Sequence, residues 1–208
     1  MNLFLKKIIK IVGDLINEST RVKTVNETIS KFGSVNTLIN NAAIFRLSHL
    51  VNTKIDEYDE IMNVNVRSVF LLTQLCVPYL LKEKCSSIVN VSSIAGTRCF
   101  PGLLPYSMSK AALDQFTKCL SLELASNQCR VNSVNPGTIV TNIHRRAGYN
   151  EEQYKLFIET CKKTHALGRA GNADEVANTI AFLASDAASF ITGEVIHVDG
   201  GRQRMSPR

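Results

Sequence analysis

No Cys-x-x-Cys pair and no cysteine–histidine ligand spacing occurs in the 208 residues, although there are six cysteines. That speaks against structural zinc, no metal site is expected, and reduced thiols suit a cytosolic or organellar matrix compartment. No basic run interleaves with aromatics. Lysine and arginine are spread along the chain, so the net charge of +6 reads as a solvated basic surface and no nucleic-acid partner is expected. No continuous apolar run approaches the ~20 residues of a membrane span, so no membrane partner is expected. The opening "MNLFLKKIIKIVGD" is broken by lysines after five residues and has neither the h-region nor the cleavage site of a signal peptide. Cytoplasm is the expected location, with the mitochondrial matrix as the second choice. Internal repeats, low-complexity tracts and linkers are also missing, which predicts a single domain over residues 1–208.

What is present is an alternation of short apolar runs with longer helical patterns. Ile8–Val12 reads as a strand ending at Gly13-Asp14. A helix follows over 19–32 and stops at Gly33. "TLI" at 37–39 is a second strand, running into Asn40-Asn41-Ala42-Ala43. A long helix is expected over 55–81, apolar on most faces in its second half, with Pro78 in its last turns. Further strands read at 87–91, 130–134 and 194–198, and helices at 109–125 and 173–183. A polar helical insertion covers about 142–163. Near-continuous apolar strands alternating with helices predict an α/β fold, a parallel sheet covered on both faces. Ligands of such sheets sit at the carboxyl ends of the strands, which singles out Asp14, Asn40-Asn41, Ser92-Ser93 and Pro136-Gly137-Thr138.

Chemistry concentrates in "YSMSK", Tyr106 to Lys110. Positions four apart share a helix face. A free phenol titrates near pH ~10 and is a poor acid or base at neutrality. A fixed ammonium close by favours phenolate, which would let Tyr106 exchange a proton with a carbonyl or alcohol oxygen. By itself a Tyr and a Lys at this spacing are two helix neighbours. Ser93, 13 residues earlier and just after "SIVNVS", can direct a second hydroxyl to the same oxygen. Ser107 and Lys110 also spell S-x-x-K, but the S-D-N and K-T-G elements of the serine hydrolases that use it do not occur.

Six segments in order, "INNAAIF", "VNVRSVFLLTQ", "IVNVSSIAG", "YSMSKAALDQFTKCLSLELA", "VNSVNPGTIVT" and "FITGEVIHVDGG", resemble the short-chain dehydrogenase/reductase family from about Ile8 to Gly201. The nearest flavour is its ketone and 3-oxoacyl reductase-like branch. The resemblance implies a doubly wound, Rossmann-like parallel sheet. It implies reversible hydride transfer between NAD or NADP and a carbonyl or secondary alcohol of a small-molecule substrate. Tyr106 resembles the acid/base, Lys110 the lysine that holds the nicotinamide ribose and lowers the tyrosine pKa, and Ser93 the serine that polarises the carbonyl. Asn65 resembles the asparagine that positions a relay water; the "VRSVF" after it favours Asn65 over Asn63. Asp14 matches the acidic residue beside adenine, and Asn40, Ala42 and Ala43 the segment along the cofactor. Pro136, Gly137, Ile139 and Thr141 match the loop that holds the carboxamide. Residues 142–167 match the substrate lid, in which Ile143, Tyr149, Tyr154 and Phe157 are candidates for an apolar pocket. The family is usually tetrameric, so a homo-oligomer built on the two long helices and the last strand is implied.

Two departures accompany the resemblance. The family opens with a strand and T-G-x-x-x-G-x-G, whose glycines let the backbone approach the pyrophosphate at a helix N-terminus. Here Gly13 is the one glycine before Gly33. The first two strands and the glycine-rich loop, roughly 50 residues in the doubly wound pattern, are read as missing. That opens a competing expectation, a cofactor-deficient subunit acting through association. Ala43 stands where the family usually carries glycine.

Overall fold

The computed structural model describes residues 8–205. Its sheet has four parallel strands in the order β1 (Thr37–Asn40), β2 (Ser86–Val91), β3 (Cys129–Pro136), β4 (Val195–Val198). Leu38 pairs with Ile88, and Ile88 with Val131, so apolar residues stack across the sheet in register. Successive strand residues face opposite sides. Ile88 and Val131 pack against α1 (Glu18–Phe32), α3 (Ser68–Leu80) and α4 (Leu104–Leu124) through Val25, Leu72, Cys76, Leu80, Leu120 and Leu124. Val89 and Val134 turn the other way, towards Val176 and Leu183 of α7 (Ala173–Ala184). The expected α/β sheet with helices on both faces is what forms.

The strand expected over Ile8–Val12 does not form. Ile8 is 61% and Val12 81% exposed, and no strand of the described residues lies beside them. An extended segment without a ladder partner keeps its backbone hydrogen bonds with water. For the same reason β1 is an edge strand, bonded to β2 alone, and its Ile39 stays 45% exposed.

The expected helix over 55–81 is three pieces: α2 (Ile55–Met62), a π-helical turn (Asn63–Arg67) and α3. The Ser68 N–H reaches back to the Asn63 carbonyl, five residues away. By length and composition the run Ile55–Leu80 could cross a membrane. In this fold it lies along the sheet, with Leu72, Cys76 and Leu80 in the core. The α4 helix starts five residues before the expected Ser109, because Pro105 fits the first helical turn. Tyr106 is thus inside the helix. Between α4 and α7, α5 (Ile143–Arg146) and α6 (Glu151–Thr164) make up the insertion, and Asn150 and Gln153 form a capping box that opens α6.

A row of buried amides crosses the sheet beneath its carboxyl edge. Asn40 Nδ2 donates to Asn90 Oδ1 (2.8 Å) and Thr73 Oγ1 (3.1 Å), and Asn90 Nδ2 donates to Thr117 Oγ1 (2.8 Å). The row fixes β1, β2, α3 and α4 to one another. Asn90→Ala would remove the partner that links Asn40 to Thr117, leaving Asn40 with Thr73 and Thr117 with the Leu113 carbonyl, at about 1–3 kcal/mol for the buried bonds lost. Urea unfolding should show a loss of that order; a loss within error of zero would show that the row carries no stability.

Candidate functional site

Ser93, Tyr106 and Lys110 come together because β2 ends where α4 begins its second turn. Lys110 is 2% exposed, and its Nζ donates to the Val91 carbonyl at 2.9 Å, against the end of β2. Ser92 Oγ donates to the Lys110 carbonyl, which ties the same helix turn to the same strand end (3.1 Å). Gly96 closes the turn after Ser93. A β-carbon there would fall 2.4 Å from Asp114 Oδ2 and 3.0 Å from the Lys110 backbone, so only glycine allows this approach. Ser93 Oγ accepts from the Ala95 N–H (3.1 Å), and the Ser93 carbonyl accepts from Asn135 Nδ2 (2.8 Å).

Tyr106 is 8% exposed, and its ring meets Phe45 edge-on, with centroids 5.1 Å apart. Burial pushes its phenol up to about 12, and the Ser93 hydroxyl pulls the other way. This differs from the lowered value expected from the neighbouring ammonium. Lys110 Nζ lies 5.7 Å from the Tyr106 ring centroid and is directed to Val91. The buried Lys110 amine is itself brought down to about 8 by loss of solvent, with Asp114 opposing. Asp114 accepts from Asn135 Nδ2 (2.9 Å) and Ser133 Oγ (3.2 Å); burial raises its pKa, and these bonds restrain the rise.

Asn65 belongs to the same knot. It sits in the π-helical turn, 1% exposed, and its Oδ1 accepts from the Ile44 N–H at 2.9 Å. Its Nδ2 donates to the Ile44 carbonyl and to Ser109 Oγ, both at 3.0 Å, and Ser109 Oγ donates to the Tyr106 carbonyl at 2.7 Å. Asn65 therefore joins the segment after β1 to the helix turn that carries Tyr106.

The residues assigned to the cofactor divide into three groups. Asn40 is buried and committed to the amide row, while Ala42 is exposed and Ala43 half-buried just beyond it. Pro136, Gly137 and Ile139 follow β3. Gly137 lies so close to β4 that a β-carbon would fall 2.9 Å from Asp199 Cα, and the Gly137 N–H donates to the Val198 carbonyl at 3.1 Å. Ile139 bridges to Gly171, and the Thr141 carbonyl accepts from the Tyr154 hydroxyl at 3.4 Å. Asp14 stands apart on an exposed turn, where its Oδ1 accepts from the Ile16 N–H at 2.9 Å.

The insertion carries an aromatic group, of which Tyr149, Tyr154 and Phe157 were expected from sequence and His144 was not. Tyr149, Tyr154 and Phe157 surround His144, with ring centroids 5.6, 6.2 and 4.6 Å away. His144 also meets Phe45 at 5.1 Å, one ring from Tyr106. Burial lowers the His144 pKa to about 4, helped by the charge of Arg202. His144, Ser109 and Asp114 were not singled out from sequence. Their signal was polarity at helix positions facing the core, which no pair spacing marks.

A protonated phenol, a serine hydroxyl and a buried amine at the end of a parallel strand can polarise and protonate a carbonyl oxygen. A family model described as enoyl-(acyl carrier protein) reductase matches residues 4–203. The 3-oxoacyl-(acyl-carrier-protein) reductase FabG of Thermotoga maritima is 42% identical over 179 residues, covering 86% of this chain and 70% of that protein. A short-chain dehydrogenase/reductase of unknown function from Caenorhabditis elegans, solved with cofactor, superposes with a TM-score of 0.89 at 32% identity, covering 97% of this chain and 77% of that one. ElxO with NADP bound gives 0.85 at 29% identity, with coverage of 93% and 77%. Agreement of this extent in sequence and in backbone has one meaning: the chain belongs to the short-chain dehydrogenase/reductase family.

Proposed function

We propose that the protein is an NAD(P)-dependent oxidoreductase that reduces a carbonyl of a ketone or 3-oxoacyl-like substrate to a secondary alcohol, and runs the reverse reaction. The observation that carries this reading is the convergence of Ser93, Tyr106 and Lys110 at the end of β2. The FabG relatives favour it over a subunit acting through association alone. Ser93 donates a hydrogen bond to the substrate oxygen. Tyr106, whose phenol stays protonated at neutral pH, gives its proton to that oxygen as the carbon is reduced. Lys110 supplies positive charge beside the developing phenolate. Asn65 acts as a positioning residue, through Ile44 and Ser109.

A nicotinamide cofactor, when bound, supplies the hydride. Lys110 would hold the nicotinamide ribose and the tightly packed 136–141 loop the carboxamide, with Ala42 and Ala43 alongside; Asp14, on its separate exposed turn, would be the residue beside adenine. These 208 residues hold no glycine-rich loop for the pyrophosphate. The neighbour solved with NADP supports a nicotinamide cofactor and leaves NAD or NADP open. We further read residues 1–208 as one domain with a lid over 142–167. We read the assembly as a homo-oligomer formed through the exposed apolar faces of α3 and α4, where Phe70 and Leu122 are 51% and 79% exposed. Cytoplasm is the compartment that suits the free thiols of Cys85, Cys99 and Cys119.

Calorimetric titration of the purified chain with NADH and NADPH should show saturable binding of one or both. Heat no greater than dilution would remove the enzyme reading for this polypeptide. Tyr106→Phe should lower kcat by at least about a hundredfold, as loss of a general acid does, with an unchanged circular dichroism spectrum. Retained turnover would exclude Tyr106 as the proton donor.

The buried amine of Lys110 gives a pH test. Its folded pKa of about 8 lies below the 10.5 of a free lysine, so the folded state gives up the proton first. The resulting penalty is fully present below pH 8 and disappears as pH rises to 10.5. The melting temperature of Lys110→Met relative to wild type should therefore fall between pH 7 and pH 10. A difference that does not vary with pH would mean that the amine is not held at a lowered pKa.

A further inference from the structure

Beside the lid, two guanidinium groups share one aromatic ring. The Arg202 and Arg98 guanidinium carbons lie 4.9 and 6.0 Å from the Phe100 ring centroid. Arg98 Nη1 donates to the backbone carbonyl of Arg202, which fixes the Arg98 side chain against the segment that carries Arg202. Arg202 Nη1 also donates to Thr138 Oγ1 at 2.6 Å, which fixes it against the loop that follows β3. Among the described residues neither arginine has a carboxylate within ion-pairing distance. Asp199 is the nearest acid that acts on Arg202, and its two oxygens already accept from the backbone N–H of Gly201 and Gln203 at 2.9 and 2.6 Å. Two half-buried like charges repel, and water screens them less than it would at an open surface. Burial and the charge of Arg98 both lower the Arg202 pKa, with Cys161 and Asp199 opposing.

The pair is placed to meet a substrate. Arg98 is five residues beyond Ser93, on the segment that leaves the strand end, and with Phe100 it lines a cavity of about 430 Å³ that also exposes Ser107 and Met108 of α4. The Ser107 hydroxyl is buried without a hydrogen-bond partner. On the opposite side, Arg202 is close enough to His144 for its charge to disfavour the imidazolium, and His144 reaches Tyr106 through Phe45. Among the described residues Arg98 is the one Lys, Arg, Asp or Glu side chain lining this cavity, and Arg202 lies behind it across the Phe100 ring.

We propose that Arg98 and Arg202 form a recognition site for an oxyanion, a carboxylate or phosphate, carried by the substrate at the end remote from the reacting carbonyl. This rests on the oxidoreductase reading and narrows it to ketones with an anionic tail. Guanidinium forks match the paired oxygens of such groups, and an anion between them would remove the repulsion that the empty site retains. Thr138, Phe100 and the Arg202 carbonyl hold the forks in place beforehand, which reduces the ordering that binding requires.

Binding can be measured without turnover by ligand-observed NMR on the whole chain. The probes are acetoacetate against methyl acetoacetate and (2-oxopropyl)phosphonate against its neutral dimethyl ester. At least one anion should bind about tenfold more tightly than its ester, and which one does identifies the tail as carboxylate or phosphate. The preference should collapse in Arg202→Gln and in Arg98→Gln and persist in Arg204→Gln, which removes an exposed charge nearby. Equal binding of anion and ester, no binding of either, or a preference that survives both substitutions would overturn the proposal. Anion binding with the expected pattern, together with failure to oxidise NADH or NADPH with any of these ketones, would leave the anion site standing and remove the oxidoreductase reading.

Discussion

The parallel sheet forces polar groups into the interior at its carboxyl edge, and every one of them has to be matched. Asn40, Asn90 and Thr117 meet that demand on the β1 side, and Asp114, Ser133 and Asn135 on the β3 side. Between them stands Lys110, anchored to the Val91 carbonyl. An unmatched amide there would cost as much as several good apolar contacts contribute. Once the row is satisfied, α4 has one allowed position relative to β2, and that position brings Tyr106 opposite Ser93. The site is thus a by-product of solving a burial problem. Its precision comes from buried hydrogen bonds between the strand ends and α4.

That network also separates proton affinity from charge. Burial raises the Tyr106 phenol and lowers the Lys110 amine, so the two pKa values move in opposite directions through the same cause. The lysine in this state is engaged with the strand end and not with the phenol. A phenol that keeps its proton is ready to donate, which suits reduction.

Much of this could be read in the letters. Alternating strands and helices gave the layers, and Tyr106, Lys110 and Ser93 followed from spacing and strand ends. Gly33 and Pro105 mark helix boundaries through backbone geometry: α1 stops at the expected Gly33, and Pro105 opens α4 ahead of the expected Ser109. Ile8–Val12 has the composition of a strand, but a strand is defined by its neighbour, and composition says nothing about neighbours. Asn65 was legible as a residue and illegible as a shape, since a π-helical turn leaves no periodic trace. Asp114 and His144 each depend on groups distant in sequence, through contacts that no local pattern encodes.

The π-helical turn at Asn63–Arg67 has a consequence for how this helix tolerates change. Such a turn holds one residue more than an α-helix needs over the same rise. Deleting a single residue there would let the helix relax into regular geometry without disturbing the register of either end. The helix would improve, and the amide of Asn65 would swing away from Ile44 and Ser109. Length variation at this point therefore sets local stability against the fixation of Tyr106, and a variant selected for heat resistance alone would be free to lose the extra residue.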